Sequence, residues 1–436
     1  RLAFAPLEFA APKAKDYRHT LSNGAAVFVA EDHSLPLVQI SLTFRAGTFL
    51  DPPGKTGLAA MVGTLVRAGG TQKLGAEAFD EKVEFLAGRF GSYGIDVRSG
   101  ANMNCITPVL EDCLGLFFDM VKTPGFDAER LEIERSKALE AMKQRNDDAQ
   151  DILRREWEWL LYGDYFTGRV ATEAELESIR RQDLVDFHRR EWQPDRMIVS
   201  VAGDVETQAV LARLESEIAG WPASDSEATW PPPGPDYIPQ PGFYYVDKDI
   251  PQGKVYIGHS SFQVKDWEQP DLPALRVMNH ILGGGGFSSR IVQRVRSDEG
   301  LAYSAGSAFE EEPFWPSQFR IFYQSKSSTV SLAAKIALEQ VRRMQEEKVT
   351  PEELELAKGS LVDSFPRRFE SAAQIAGTFA FDVLVGRRSE YWQDWRERIR
   401  AVTAEDVQRV ASQYLHPDQM ILLVVGDWEA IAAGDL

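Results

Sequence analysis

The amino-acid sequence predicts an α+β protein built from tandem duplicated domains, each a mostly antiparallel sheet covered by helices on one face. Three observations carry this. The chain matches itself at one fixed offset, a proline-dense stretch separates the two copies, and strand-period and helix-period patterns recur within each copy.

Residues 182–206 (QDLVDFHRREWQPDRMIVSVAGDVE) lie against 405–429 (EDVQRVASQYLHPDQMILLVVGDWE) without a gap, at an offset of 223. Asp183 meets Asp406, Pro194 meets Pro417, and Gly203-Asp204 meets Gly426-Asp427. The same offset carries 126–139 onto 349–362 and Ile152 onto Ile375. Solenoid repeats run to about 50 residues at most, so this period marks a duplicated domain. Seven of the 23 prolines fall between Pro222 and Pro241, in a stretch that also holds Ser, Asp and Gly. Such a composition makes no regular element and reads as a semi-rigid extended linker. The expected division is a first domain over 1–220, a linker over 221–242 and a second domain over 243–436.

Within each half the periods follow. Val38, Ile40, Leu42 and Phe44 alternate with polar residues, as in a half-buried strand. Residues 24–31, 197–202, 254–261, 318–325 and 420–425 also read as strands. Helical spacing runs through 174–191 and 332–348, and helices are expected over about 271–282 and 287–296. The stretch from Val349 opens with Thr350 as N-cap and Pro351 in the first turn, followed by acids.

Composition narrows the function classes. Of 436 residues, 44% are hydrophobic and 26% charged, which excludes a disordered, collagen-like or disulfide-scaffold chain. The longest obvious apolar run, Met420 to Val425, is far short of the ~18 residues of a membrane span. With 66 acidic and 48 basic residues the balance is −18, which repels nucleic acid and anionic lipid. Cys105 and Cys113 are too sparse for a disulfide framework and read as buried free thiols. The opening RLAFAPLEFAAPKAKDYRHTLSNG is small, apolar and proline-containing, like a mature exported chain, so a periplasmic location is expected, with the cytoplasm as alternative.

Few residues invite chemistry. No two of the six histidines stand three or four apart, so no helix presents a pair to one ion. The run LGGGGFSSR (282–290) lacks the ending of a phosphate loop and reads as a flexible connection between two helices. In IVQRVRSDEGLAYSAGSAF (291–309), Arg296 ends a helix, Gly300 turns the chain and Tyr303 begins a strand. A guanidinium fork and a phenol brought together could hold a carbonyl and an oxyanion. An isolated Arg and Tyr at this spacing are ordinarily a surface charge and a half-buried aromatic.

The duplicated halves, the opening TLSNGAAVFVAED, the run GGGGFSSRIVQRVRSDEGLAYSAGS and the closing QYLHPDQMILLVVGD resemble the inverted H-x-x-E-H zinc peptidases, the pitrilysin, insulinase and mitochondrial processing peptidase family. The resemblance covers about 18–430. It implies two zinc-ligand positions at Ala60 and Thr64, the catalytic base position at Gly63, and the third ligand position at Ala141, beside a retained Glu134 and Glu140. None of the substituents can bind zinc or take a proton. The Arg/Tyr pair that faces the zinc site in cleaving assemblies is kept, as Arg296 and Tyr303.

The resemblance therefore implies the non-metal subunit of a heterodimeric zinc metallopeptidase. This chain would hold no cofactor, a homologous partner subunit would hold the zinc, and unfolded peptides would be the substrates. Arg296 and Tyr303 would bind the peptide and stabilise the tetrahedral intermediate. On this reading the chain is inactive alone and a homodimer in isolation stays open. The alternative is a catalytically inert structural or peptide-binding member of the same family.

Overall fold

The computed structural model describes residues 9–221 and 230–434. One sheet is built from β1 (Arg18–Thr20), β2 (Ala26–Glu31), β3 (Leu37–Phe44), β4 (Arg89–Ile95), β5 (Arg98–Ile106) and β6 (Met197–Gly203), in the order β1-β2-β6-β3-β5-β4. The other is built from β7 (Gly242–Asp247), β8 (Gln252–Ser260), β9 (Ala302–Phe309), β10 (Gln318–Lys326) and β11 (Ile421–Gly426), in the order β7-β11-β8-β10-β9. With β1 set aside the two orders correspond strand for strand, so the repeat in sequence is a repeat of topology. All pairings are antiparallel except β2 with β6 and β7 with β11.

The alternation in β3 places Val38, Ile40, Leu42 and Phe44 in the core, each fully buried. Strand β2 is different, because Ala26 to Ala30 are all buried. A strand apolar at every position needs cover on both faces. Val27 and Val29 face one apolar cluster, with the helices of the first half; Ala26, Phe28 and Ala30 face another, drawn mainly from the second half.

That second cover is a helix exchange. Helix Ala372–Val385 packs on β2 and β6 of the first sheet, with the Phe379 ring 6.0 Å from that of Phe28. Its counterpart at the repeat offset, helix Ala149–Tyr162, packs on β8 and β11 of the second sheet. There Trp157 donates its indole N–H to the Gln318 side chain, and the Tyr162 hydroxyl donates to the Pro316 carbonyl at 3.0 Å. Each sheet thus carries its own helices on one face and a single helix from the other half on the opposite face.

Two expectations need correction. The stretch 174–191 is two helices, Glu173–Ser178 and Arg181–Glu191, because Asp183 caps the second by accepting the Arg180 backbone N–H at 2.6 Å. The buried Arg135 guanidinium takes up the Leu176 and Ile179 carbonyls freed at the break. The glycine run over 282–290 is an ordered part of the helical layer and not a flexible connection, because its hydroxyls and close backbone contacts fix it in place. Of the proline-dense segment, residues 222–229 lie outside the described residues; 230–241 holds no helix or strand, and β7 begins at Gly242. Cys105 and Cys113 are buried and unbridged.

Candidate functional site

The glycines set the geometry around Arg296 and Tyr303. Helix Asp271–Asn279 continues through His280–Gly284 in wide π-type turns. Gly283 lies against β9 so closely that a Cβ there would sit 2.4 Å from the Ser307 backbone nitrogen. Gly286 has φ +63°, a left-handed conformation natural to glycine. The hydroxyls of Ser288 and Ser289 donate to the Gly285 and Gly286 carbonyls, at 3.1 and 2.6 Å, and fix the turn. Behind it Arg290 forms a two-pronged ion pair with Glu353, at 2.6 and 2.9 Å.

The chain then coils through Val292–Asp298, burying Val292 and Val295, turns at Gly300 (φ +64°), and enters β9. Strand β9 is an edge strand. Gln324 pairs with Ser304 and Ser325 with Ala302, which leaves Tyr303 as the extra residue of a β-bulge. Bulges re-aim a side chain, and Tyr303 is 82% exposed. The guanidinium carbon of Arg296 lies 5.1 Å from the Tyr303 ring centre and 4.5 Å from that of Phe287. Neighbouring Arg294 takes both Asp298 and Glu299. Among the described residues Arg296 has no hydrogen bond or ion pair, so its donors are open. The structure brings the two sequence-predicted site residues together.

The positions implied as ligand sites lie on helix Leu58–Ala68 and helix Ala128–Gln144. Ala60 and Thr64 are exposed, and Thr64 donates its hydroxyl back to the Ala60 carbonyl at 3.1 Å. At Gly63 a Cβ would sit 2.1 Å from the Gly94 nitrogen and 2.3 Å from the Tyr93 carbonyl carbon, so β4 closes the place of a base. Ala141 is exposed and Glu134 pairs with Lys137 at 2.6 Å. These residues do not fit a zinc ion. No group of three or more His, Cys, Asp or Glu able to hold a metal occurs among the described residues.

Sequence reasoning missed two features. Phe287, 67% exposed beside Arg296, was hidden in the glycine run, whose only signal was that a large apolar residue stood among flexible ones. The second is an acidic group drawn from three elements. Glu158 lies on the exchanged helix, Glu310 and Glu312 follow β9, and Asp96 sits in the β4–β5 turn. Burial, reinforced by Glu310, pushes Glu158 up to about 7, and burial pushes Glu312 up to about 7. Gln318 donates to Glu310 at 2.9 Å, and Arg320 lies 3.7 Å from it. The exchanged helix brings Glu158 beside Glu310, a neighbourhood that no local pattern reports.

The profile described as "Peptidase M16 inactive domain" matches residues 178–361. The chain is 24% identical over 408 residues to the "Non-peptidase homolog YmxG" of Helicobacter pylori, covering 92% of this chain and 91% of that protein. It is 28% identical over 306 residues to an uncharacterised zinc protease of Mycobacterium bovis, covering 69% of this chain and 68% of that one. Among solved structures, a peptidase M16 inactive domain from Pseudomonas fluorescens superposes with a TM-score of 0.83 at 22% identity, over 94% of this chain and 97% of that chain.

Proposed function

The chain belongs to the M16 peptidase family as an inactive, non-zinc member, and from that premise we propose that it is the non-metal subunit of a heterodimeric zinc metallopeptidase. The observation that carries this reading is the open Arg296 guanidinium 5.1 Å from the exposed Tyr303 ring. A chain kept only as scaffold has no reason to hold an unpaired cation beside two exposed aromatics.

On this reading the partner subunit carries an intact H-x-x-E-H, and its zinc activates the attacking water. The work of this chain falls to two side chains. The Tyr303 hydroxyl donates a hydrogen bond to the oxyanion as the tetrahedral intermediate forms. Arg296 directs its planar fork of donors at a peptide carbonyl, which fixes the substrate without taking part in proton transfer. The substrate lies extended along a sheet edge of the partner's first domain, where backbone hydrogen bonds hold it independently of sequence. The net charge of −18 favours unfolded segments that are basic.

The test is an assay of unfolded-protein cleavage by this chain, by a homologous chain with an intact H-x-x-E-H encoded beside it, and by the mixture. Activity confined to the mixture and abolished by a chelator supports the proposal. A mixture no more active than the zinc-bearing chain alone overturns it in favour of an inert structural role, the role that the missing ligands at Ala60, Thr64 and Ala141 favour.

A further inference from the structure

We propose that Phe287 is a positioning residue for Arg296: its ring holds the guanidinium in the orientation that receives the peptide carbonyl. The value of this to catalysis rests on the proposed subunit role; the contact itself does not.

Arg296 lacks an acid to orient it, and a long unpaired arginine side chain ordinarily samples many rotamers. Here its guanidinium carbon lies 4.5 Å from the Phe287 ring centre, closer than to Tyr303 at 5.1 Å. A ring orients a guanidinium through its negative face while using none of its N–H donors. A carboxylate would orient it too, but would consume the donors that a substrate needs.

The loop is shaped to present this ring. Gly283 allows the chain to press onto β9 at Ser307, and Gly286 takes the left-handed turn immediately before Phe287. The Ser288 and Ser289 hydroxyls lock that turn from the other side, and the Arg290–Glu353 pair pins the chain where it leaves the turn. Four glycines weaken a helix, so a rigid loop that leaves a phenylalanine 67% exposed calls for a reason other than packing. The unpaired guanidinium beside it supplies one.

Because Phe287 buries little, its variants fold, which makes the test direct. In the full chain with ¹⁵N-labelled arginine, the Arg296 side-chain N–H resonance, assigned by its loss in Arg296→Lys, should carry an upfield ring-current shift. Phe287→Ala should remove that shift and increase side-chain mobility, and Phe287→Tyr should restore both. Phe287→Leu, apolar but without a ring face, should behave like alanine. In the reconstituted complex, cleaving reduced and carboxymethylated lactalbumin, Phe287→Ala should lower kcat/KM about two- to thirtyfold, the span of one cation–π contact from exposed to desolvated. That loss should fall mainly on KM, with recovery in Phe287→Tyr. An Arg296 resonance indifferent to Phe287→Ala overturns the proposal, whatever the complex does. So does unchanged kcat/KM in a complex that loses activity on Tyr303→Phe. If the resonance behaves as expected but no mixture is active, the positioning stands and the subunit role fails.

Discussion

The Ser92 hydroxyl donates to the Gly63 carbonyl at 2.5 Å and accepts the Arg67 backbone N–H at 3.0 Å. Gly63 and Arg67 are four apart in one helix, so a strand side chain has inserted itself into that helix's own hydrogen-bond ladder. With the close approach of Gly63 to Gly94, β4 is stitched to the helix at the position that the family resemblance gives to the base of an intact H-x-x-E-H. The site has been filled by backbone as well as stripped of ligands.

Restoring the motif should therefore fail. A Cβ at residue 63 overlaps backbone, which cannot swing aside as a side chain can, and such overpacking typically costs about 1–3 kcal/mol. Gly63→Ala should lower the midpoint of chemical denaturation accordingly, while Ala60→His alone, on the exposed face, should not. The combined variant Ala60→His, Gly63→Glu, Thr64→His, Ala141→Glu should bind substoichiometric zinc by elemental analysis. A stable variant with one tightly held zinc would show that β4 yields more readily than its hydrogen bonds indicate.

Tyr303 sits on an edge strand, at a bulge, and makes no hydrogen bond through its hydroxyl among the described residues. Removing that hydroxyl leaves the fold untouched and takes away a donor. In the active mixture, Tyr303→Phe should reduce kcat by about 10²–10³, the usual effect of losing one oxyanion donor. Co-elution of the two subunits should be unaffected. An unchanged kcat removes Tyr303 from the reaction.

The repeat and most strands were legible in the sequence because they depend on local period and turn residues, whereas spacing alone only allowed the Arg296/Tyr303 pairing and the family resemblance singled it out. Gly300 forces the turn that brings a helix end beside a strand start, whatever the rest of the chain does. The helix exchange was not legible. Ile152 and Ile375 marked both helices as repeats of each other, but a repeat says nothing about which sheet a helix covers. The full burial of β2 was a trace of it, since Phe28 and its neighbours had to face something. Phe287 was overlooked because four glycines ahead of it suggested mobility, whereas the close contacts that use those glycines join residues distant in sequence.

The exchange predicts that the halves fold as one unit. Phe379 is 1% exposed and packs against Phe28 and Tyr17 of the first half and Phe369 of the second. Phe379→Ala should cost about 3–5 kcal/mol, the range for a buried phenylalanine. Calorimetry should show a single transition displaced as a whole. A fragment ending at Trp221 leaves the Ala26–Phe28–Ala30 face of its sheet bare and should bind a hydrophobic dye. A soluble, dye-negative fragment with its own sharp melt would contradict this.

Two opposing proton linkages should act on stability over overlapping windows between about pH 4 and 7. His188 Nε2 lies 2.8 Å from the Val121 carbonyl oxygen, and burial pushes its pKa down to about 4; burial does the same to His259. Unfolded histidine titrates near 6.5, so from pH 6.5 down to 4 the unfolded chain takes up protons that the folded chain refuses. Stability falls with falling pH across that window, by up to about 3 kcal/mol for each histidine. Glu158 and Glu312 act in the other sense. Burial raises both to about 7, so their penalty is absent below about pH 4.5, grows as pH rises, and is complete above pH 7. Removing the charge from one should stabilise the protein only above about pH 4.5, and fully above pH 7. Glu158→Gln, which keeps an oxygen to accept from Gln318, should raise stability at pH 8 by about 1–2 kcal/mol, a figure reduced for partial solvent access. It should leave pH 4.5 unchanged. Calorimetric scans of both proteins at the two pH values decide it: an equal gain at both would assign the effect to packing, and no gain at pH 8 would mean that Glu158 is already solvated.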